Sequence, residues 1–301
     1  MIALARYAMR TRFEIVLADE DRDEADLRAA GEEALDEIER AETLLSIYRP
    51  EAVLYAVNAQ AADHPVAVDG VTFDFLVRAY DLCRKTGGAF DPTARPLLDL
   101  WSETAAADGS IPADAEIEAA RAVVGMERLV RLDAEAQTVA FAAPGVRLDP
   151  GAIGKGWALD RAYDLLAESG VRRALLHGGT SSARALGTPP GADGWRVALQ
   201  HPTDPDARLA EIPLKGGDAL GVSAVHGRTF YAAGRAFGHV LDPRTGHPVT
   251  DTLLAAVVAG DATEADALST AALVLGGAGT LSARWLAVAA TGEVRGSLAA
   301  S

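Results

Sequence analysis

The chain has 301 residues, of which 49% are hydrophobic, and carries a formal net charge of −15. That length and apolar content support a substantial core, as one large domain or two closely joined ones, and leave disorder out. So acidic a surface repels nucleic acid and anionic membranes, and an anionic ligand must find local positive charge from a lysine, helix N-termini or a bound cation.

Residues 3–17 predict extended chain, with Phe13, Ile15 and Leu17 alternating against polar neighbours. The first ten residues, Met1 to Arg10, lack a secretory apolar run, and no stretch approaches the roughly 18 apolar residues of a membrane span, so the expected location is cytoplasmic. Residues 23–45 predict a long helix, because Leu35, Ile38, Ala41 and Leu45 fall on one face and acidic residues cover the other. A short strand is expected over 66–68, then a helix over 71–84 stopped by Gly87-Gly88. The single cysteine, Cys83, lies in that helix as a small core residue, so no disulfide framework or thiolate metal site can form within the chain.

Residues 102–113, small and polar, read as a variable loop, and 115–124 as a short helix. A hairpin over 129–132 and 138–141 follows, and Val146 begins a strand that delivers Asp149 to a glycine-rich turn. After that turn come a helix ending at Gly170, a strand over 173–176, and a segment from His177 to Gly187 that crosses back. Antiparallel strands are expected over 195–199 and 209–214, with further short strands over 217–223, 229–241 and 254–258. A helix over 264–275 closes on Gly276-Gly277.

The turn, Leu148-Asp-Pro-Gly-Ala-Ile-Gly-Lys-Gly-Trp, has a geometry suited to an anion. Backbone N–H groups at a helix start lack partners, Gly151, Gly154 and Gly156 let a phosphate approach, and Lys155 adds a full charge. It is not a Walker loop, since Asp149 stands where glycine is needed and Gly156 where Ser or Thr is needed. Nor is it a dinucleotide fingerprint, since Leu159 holds the third glycine position. A helix-start turn without a ligand remains the competing reading on spacing alone.

Two further stretches, Gly238-His-Val-Leu-Asp-Pro-Arg-Thr-Gly246 and Glu264-Ala-Asp-Ala-Leu-Ser-Thr-Ala271, stand downstream in that order, and Ala89-Phe-Asp-Pro-Thr93 lies upstream. Together with the glycine turn these resemble the FAD:protein FMN transferase family, also called the ApbE family, over a span from Met9 to about Gly276. The resemblance implies an α+β fold, with a mixed, largely antiparallel sheet core, packed helices and FAD in a cleft. One such domain is expected over residues 1–301, divisible into two closely packed subdomains.

The resemblance also implies residue roles. Met9 lies against the flavin, Tyr48 in Ser-x-Tyr-Arg-Pro contacts it, and Ala89, Phe90 and Asp91 form part of the FAD wall. Asp149 and Lys155 hold FAD around the turn, and Val240 packs beside the flavin or adenine. Asp266, Thr270 and the Ala152 carbonyl bind Mg²⁺, with Ser269 peripheral, and His239 takes the acceptor's proton. Asp266 and Thr270, four apart at a helix start, are hard oxygen donors on one face, although a helix-dipole role for Asp266 is the simpler alternative. Asp242, Arg244 and Thr245 shape a turn. The implied activity is Mg²⁺-dependent transfer of FMN from FAD to a Ser/Thr hydroxyl of an acceptor protein, with no nucleic-acid partner and no membrane insertion. FAD hydrolysis and FAD binding without catalysis are the alternatives. The chain departs from the family pattern at three positions: Arg10 replaces a glycine, Thr180 an acidic or amide residue, and Gly238 the first of two histidines.

Overall fold

The computed structural model describes residues 1–204, 206–227, 229–277 and 283–298. Its first element is a hairpin of β1 (Ile2–Ala8) and β2 (Thr11–Leu17), where the sequence suggested one extended run. Met9 and Arg10 make the two-residue turn, both in the left-handed region at φ 47° and 63°. Positive φ at both central residues gives a turn whose twist matches the paired strands, although neither side chain favours that conformation.

Helix α1 (Glu24–Leu45) follows, with the Asp23 side chain accepting from Ala25 N. Next come α2 (Val53–Gln60), which the sequence reading left unassigned, β3 (Val66–Ala67) and α3 (Gly70–Lys85). Asp69 caps α3, and Gly87 and Gly88, both at positive φ, end it. Helix α4 (Arg95–Asp108) overturns the expected loop over 102–108, while 109–113 connect it to the next helix as a loop. Its buried Leu97 and Trp101 anchor it, its alanines favour helix, and left-handed Gly109 closes it only then.

Helices α5 (Asp114–Ala122) and α6 (Met126–Leu129) lead to the expected hairpin, β4 (Val130–Asp133) and β5 (Thr138–Phe141), to which β3 adds. The strand expected from Val146 to Asp149 does not form. Its backbone is satisfied elsewhere: Leu148 N donates to the Asn58 side chain, which donates back to the Leu148 carbonyl, and Asp149 N donates to the Pro92 carbonyl. No ladder is needed to hold it extended.

Helix α7 (Gly154–Glu168) precedes β6 (Ala174–Gly178) and β7 (Ser182–Leu186), the latter a paired strand in the crossing segment. The rest comprises β8 (Trp195–Gln200), β9 (Arg208–Leu214), β10 (Ala219–Ala224), β11 (Thr229–Ala232), β12 (Arg235–Gly238), β13 (Leu241–Asp242), β14 (His247–Pro248), β15 (Thr252–Ala259), α8 (Ala262–Val274), β16 (Arg284–Ala289) and β17 (Val294–Arg295). The last two strands lie beyond what the sequence reading assigned.

One eight-stranded sheet, in order β1-β2-β6-β7-β10-β15-β16-β17, is antiparallel at every pairing. Period-two alternation sends Phe13, Ile15 and Leu17 into a cluster with α1 and α7, while Val16 packs on the other face beneath the β8–β9 hairpin. Helix α8 is apolar nearly all round because it is enclosed. Leu268 and Ala272 pack toward β15, while Ala267 and Ala271 join the separate cluster of α2, α3 and β3–β5. It is therefore the element against which both apolar clusters meet. No helix among the described residues is long and apolar enough to cross a membrane.

Candidate active-site cleft

Where those clusters meet, a cleft of about 630 Å³ opens. Met9, Tyr48, Ala89, Phe90, Asp91, Asp149, Ala152, Lys155, His239, Val240, Asp266 and Thr270 all line it, so folding brings together every site residue singled out from the sequence. They arrive from the β1–β2 turn, the end of α1, the α3–α4 connection, the glycine turn, the segment after β12, and α8.

The floor is set by the contact of α7 with α8. A Cβ on Gly156 would lie 2.2 Å from the Ala262 carbonyl oxygen, so the helices meet backbone to backbone. This corrects the phosphate argument for that glycine: Gly156 is buried against α8, whereas Gly151 and Gly154 line the cleft. Its N–H donates to Asp266 Oδ2 at 2.8 Å, and Ser182 Oγ bonds both Asp266 oxygens at 2.8 and 3.0 Å. Asp160 of α7 reinforces the joint by accepting from Ala262 N and Thr263 N at the start of α8, each at 2.8 Å.

Asp266 is only 4% exposed. Burial pushes its carboxyl up to about 6, against the charge of Lys155 and the bonds from Ser182 and Gly156 N. A carboxylate so placed calls for a compensating cation when ionised. Nearby, Ser223 Oγ lies 2.8 Å from Ser269 Oγ and 3.0 Å from Thr270 Oγ1. Among the described residues no three His, Cys, Asp or Glu side chains form a metal cluster, so the oxygen donors here are mixed: carboxylate, hydroxyl and carbonyl.

The opposite wall is held by local bonds. Asp91 Oδ1 accepts from Thr93 N and Oγ1 at 2.8 and 2.6 Å, and Oδ2 accepts from Met126 N at 3.1 Å, tying this carboxylate into the wall itself. Asp149 Oδ1 accepts from Gly151 N at 2.8 Å, which tightens the glycine turn. Sequence reasoning missed Arg95, whose guanidinium bonds both Tyr48 and Asp149. It also missed Ser182 and Ser223, which reach α8 from strands 84 and 46 residues away from their partners, where no local pattern could point to them.

The His239 segment is pinned from behind. Trp101 Nε1 donates to the Gly246 carbonyl at 2.8 Å, and its ring packs on Phe230 and Phe237. Asp242 accepts from Arg244 N, Nε and Nη2, which confirms those two residues as turn-shaping. The departure at Gly238 has a steric cause: a Cβ there would sit 2.3 Å from the Val225 carbonyl oxygen, so this fold admits no histidine side chain without moving that strand end.

The profile of the ApbE family matches residues 9–290. The FAD:protein FMN transferase of Salmonella typhimurium is 32% identical over 237 residues, covering 77% of this chain and 67% of the relative. That of Treponema pallidum is 32% identical over 267 residues, covering 85% and 74%. A solved ApbE protein from Thermotoga maritima superposes with a TM-score of 0.87 at 29% identity, covering 100% of this chain and 99% of that one. The flavin transferase ApbE from Vibrio cholerae, at 24% identity and TM-score 0.80, shares the fold.

Proposed function

This chain belongs to the ApbE family, and from that premise we propose that it transfers FMN from FAD to a Ser or Thr hydroxyl of an acceptor protein, releasing AMP. The acceptor oxygen bonds to the FMN phosphorus, the bridging P–O bond breaks, and the electron pair leaves on AMP. The hydroxyl proton passes to His239. The observation that carries the reading is the convergence of His239, Lys155, the glycine turn and the α8 oxygens on one cleft.

The residues suit Mg²⁺ by their donor chemistry. Asp266 is a buried carboxylate in want of a cation, Thr270 on the next turn of α8 offers a hydroxyl, and Ala152 of the glycine turn lines the same cleft. Mg²⁺ held there supplies charge neutralisation on the two phosphates. Lys155 and the α7 N-terminus orient the diphosphate, in an otherwise acidic protein, by the local positive field they share. Met9, Tyr48 and Val240 bound the flavin.

The test is incubation with FAD, Mg²⁺ and a candidate acceptor domain, followed by flavin fluorescence of the denatured acceptor. Covalent flavin supports transfer, whereas free FMN alone identifies hydrolysis. His239→Asn should retain FAD binding and lose transfer by about 10²–10⁴-fold, the usual contribution of a general base. Equal loss of binding and transfer would make His239 structural.

A further inference from the structure

Beyond the residues given a role in transfer, one charged group in the cleft is unusually constrained. Arg95, the first residue of α4, has a side chain only 17% exposed, yet it lines the cleft. Its Nε donates to Asp99 Oδ1 at 2.6 Å, and its Nη1 donates to the Tyr48 hydroxyl at 2.9 Å and to Asp149 Oδ2 at 3.2 Å. The guanidinium also lies 5.7 Å from the Tyr48 ring centre. Asp99 is itself held from behind by Arg147 Nη1 at 2.6 Å. Burial opposes the Arg95 charge, but the bonds from Tyr48, Asp99 and Asp149 outweigh it and hold the guanidinium firmly protonated.

The two partners on the cleft side belong to different subsites. Tyr48 follows α1 on the wall where the flavin is placed, and Asp149 opens the turn where the diphosphate is placed. Tyr48 is 58% exposed, and apart from Arg95 the Asp149 carboxylate accepts from Gly151 N of its own turn, while the Asp149 backbone N–H donates to the Pro92 carbonyl. A planar guanidinium seated through Nε on Asp99 aims its Nη1 at both partners at one separation, which a flexible ammonium without that second anchor cannot do.

We infer that Arg95 is a positioning residue that braces the flavin wall to the diphosphate turn, and so selects a ligand whose aromatic ring and phosphates stand at the separation found in FAD. The inference rests on the flavin-transfer reading of the cleft. Its physical content is preorganisation: a ligand that engages both subsites gains from their fixed spacing, and a ligand that engages one gains nothing from it.

The experiment compares binding of FAD, ADP and riboflavin to wild type, Arg95→Gln, Arg95→Lys and Tyr48→Phe, by flavin fluorescence and calorimetry, below the unfolding temperature of each. Arg95→Gln should weaken FAD by about tenfold, a typical scale for lost preorganisation, while ADP and riboflavin change little. Arg95→Lys should not rescue it, since an ammonium lacks the Nε that seats the guanidinium on Asp99 and fixes where the bridging nitrogen stands. Tyr48→Phe, which deletes one hydroxyl and is expected to fold, should weaken FAD in the same sense. Its effect should not add fully to that of Arg95→Gln, because both act on one link. Loss of ADP binding as large as the loss of FAD binding would make Arg95 a direct phosphate contact and overturn the brace, as would unchanged FAD affinity or full rescue by lysine. Wild-type protein that binds no FAD at all would remove the transferase reading, and the brace with it.

Discussion

Replacing Gly156 by alanine tests whether the α7–α8 contact sets the site. The new Cβ would stand 2.2 Å from the Ala262 carbonyl oxygen, 2.5 Å from its carbon and 2.7 Å from Thr263 N, all backbone atoms that cannot swing aside. Close carbon–oxygen contacts in proteins sit at about 3.3 Å or more, so the two helices must part by roughly 1 Å. Overpacking of this kind costs about 1–3 kcal/mol, and the upper end applies because no side chain can yield. Alanine's better helix propensity returns up to about 1 kcal/mol, leaving a net loss of about 2 kcal/mol. For a chain of this size that corresponds to a fall in Tm of about 3 °C. The same movement stretches the 2.8 Å bond from Gly156 N to Asp266, so the Mg²⁺ concentration for half-maximal transfer should rise. Gly154→Ala is the control. Its Cβ would meet only Pro150 Cβ at 3.5 Å, an ordinary contact, and its stability should stay within about 0.5 kcal/mol of wild type. Urea unfolding of the two variants decides the matter: equal stability would mean the helix contact is compliant, and the account of how Asp266 is held would be wrong.

Asp266→Ala should cut turnover by more than about 10²-fold at millimolar Mg²⁺ while costing only about 1–3 kcal/mol of stability, the penalty of leaving Gly156 N and Ser182 Oγ without their acceptor. Wild-type Mg²⁺ dependence in that variant would reduce Asp266 to a helix-dipole residue. Arg10→Gly should raise stability by about 1 kcal/mol, because Arg10 sits at φ 63° in the left-handed region, and a stability loss in denaturant titration would contradict this. Asp69→Ala removes the acceptor for Thr72 N at 3.0 Å and Thr72 Oγ1 at 2.7 Å and should cost about 1 kcal/mol at neutral pH. Burial opposes ionisation of Asp69, but the Thr72 bonds outweigh it and hold its carboxyl below the ordinary 3.8. With the folded value depressed, the contribution is fully present above 3.8 and disappears as pH falls through the lower folded value. The gap between variant and wild type should therefore close on strong acidification, and a gap that persists would argue against ionisation as its source.

The sequence alone determined the elements whose signals are local. The α1 stripe of Leu35, Ile38 and Ala41, the glycine stops after α3 and α8, and the β4–β5 hairpin all follow from the period of the apolar residues and from the φ that glycine permits. Its motifs, read through the family resemblance, also named twelve residues that the fold assembles around one cleft. Tertiary structure decided what depends on partners distant in the chain. Residues 102–108 are helical because Trp101 is buried against Phe230, Phe237 and the Gly246 carbonyl, none of which their own composition reveals. Residues 146–149 stay extended without a sheet because Asn58 and Pro92 take their hydrogen bonds. Gly156 reads in the sequence as room for a phosphate and Gly238 as a departure from the family pattern, yet each is demanded by a carbonyl oxygen, of Ala262 and Val225 respectively, that closes to within 2.3 Å of where a Cβ would be. Arg95, an ordinary residue before a proline in the sequence, becomes the link between two walls only because Tyr48 and Asp149 converge on it from 47 and 54 residues away. Periodicity reports which face of an element is buried, and it carries no information about which atom on a remote segment will meet that face.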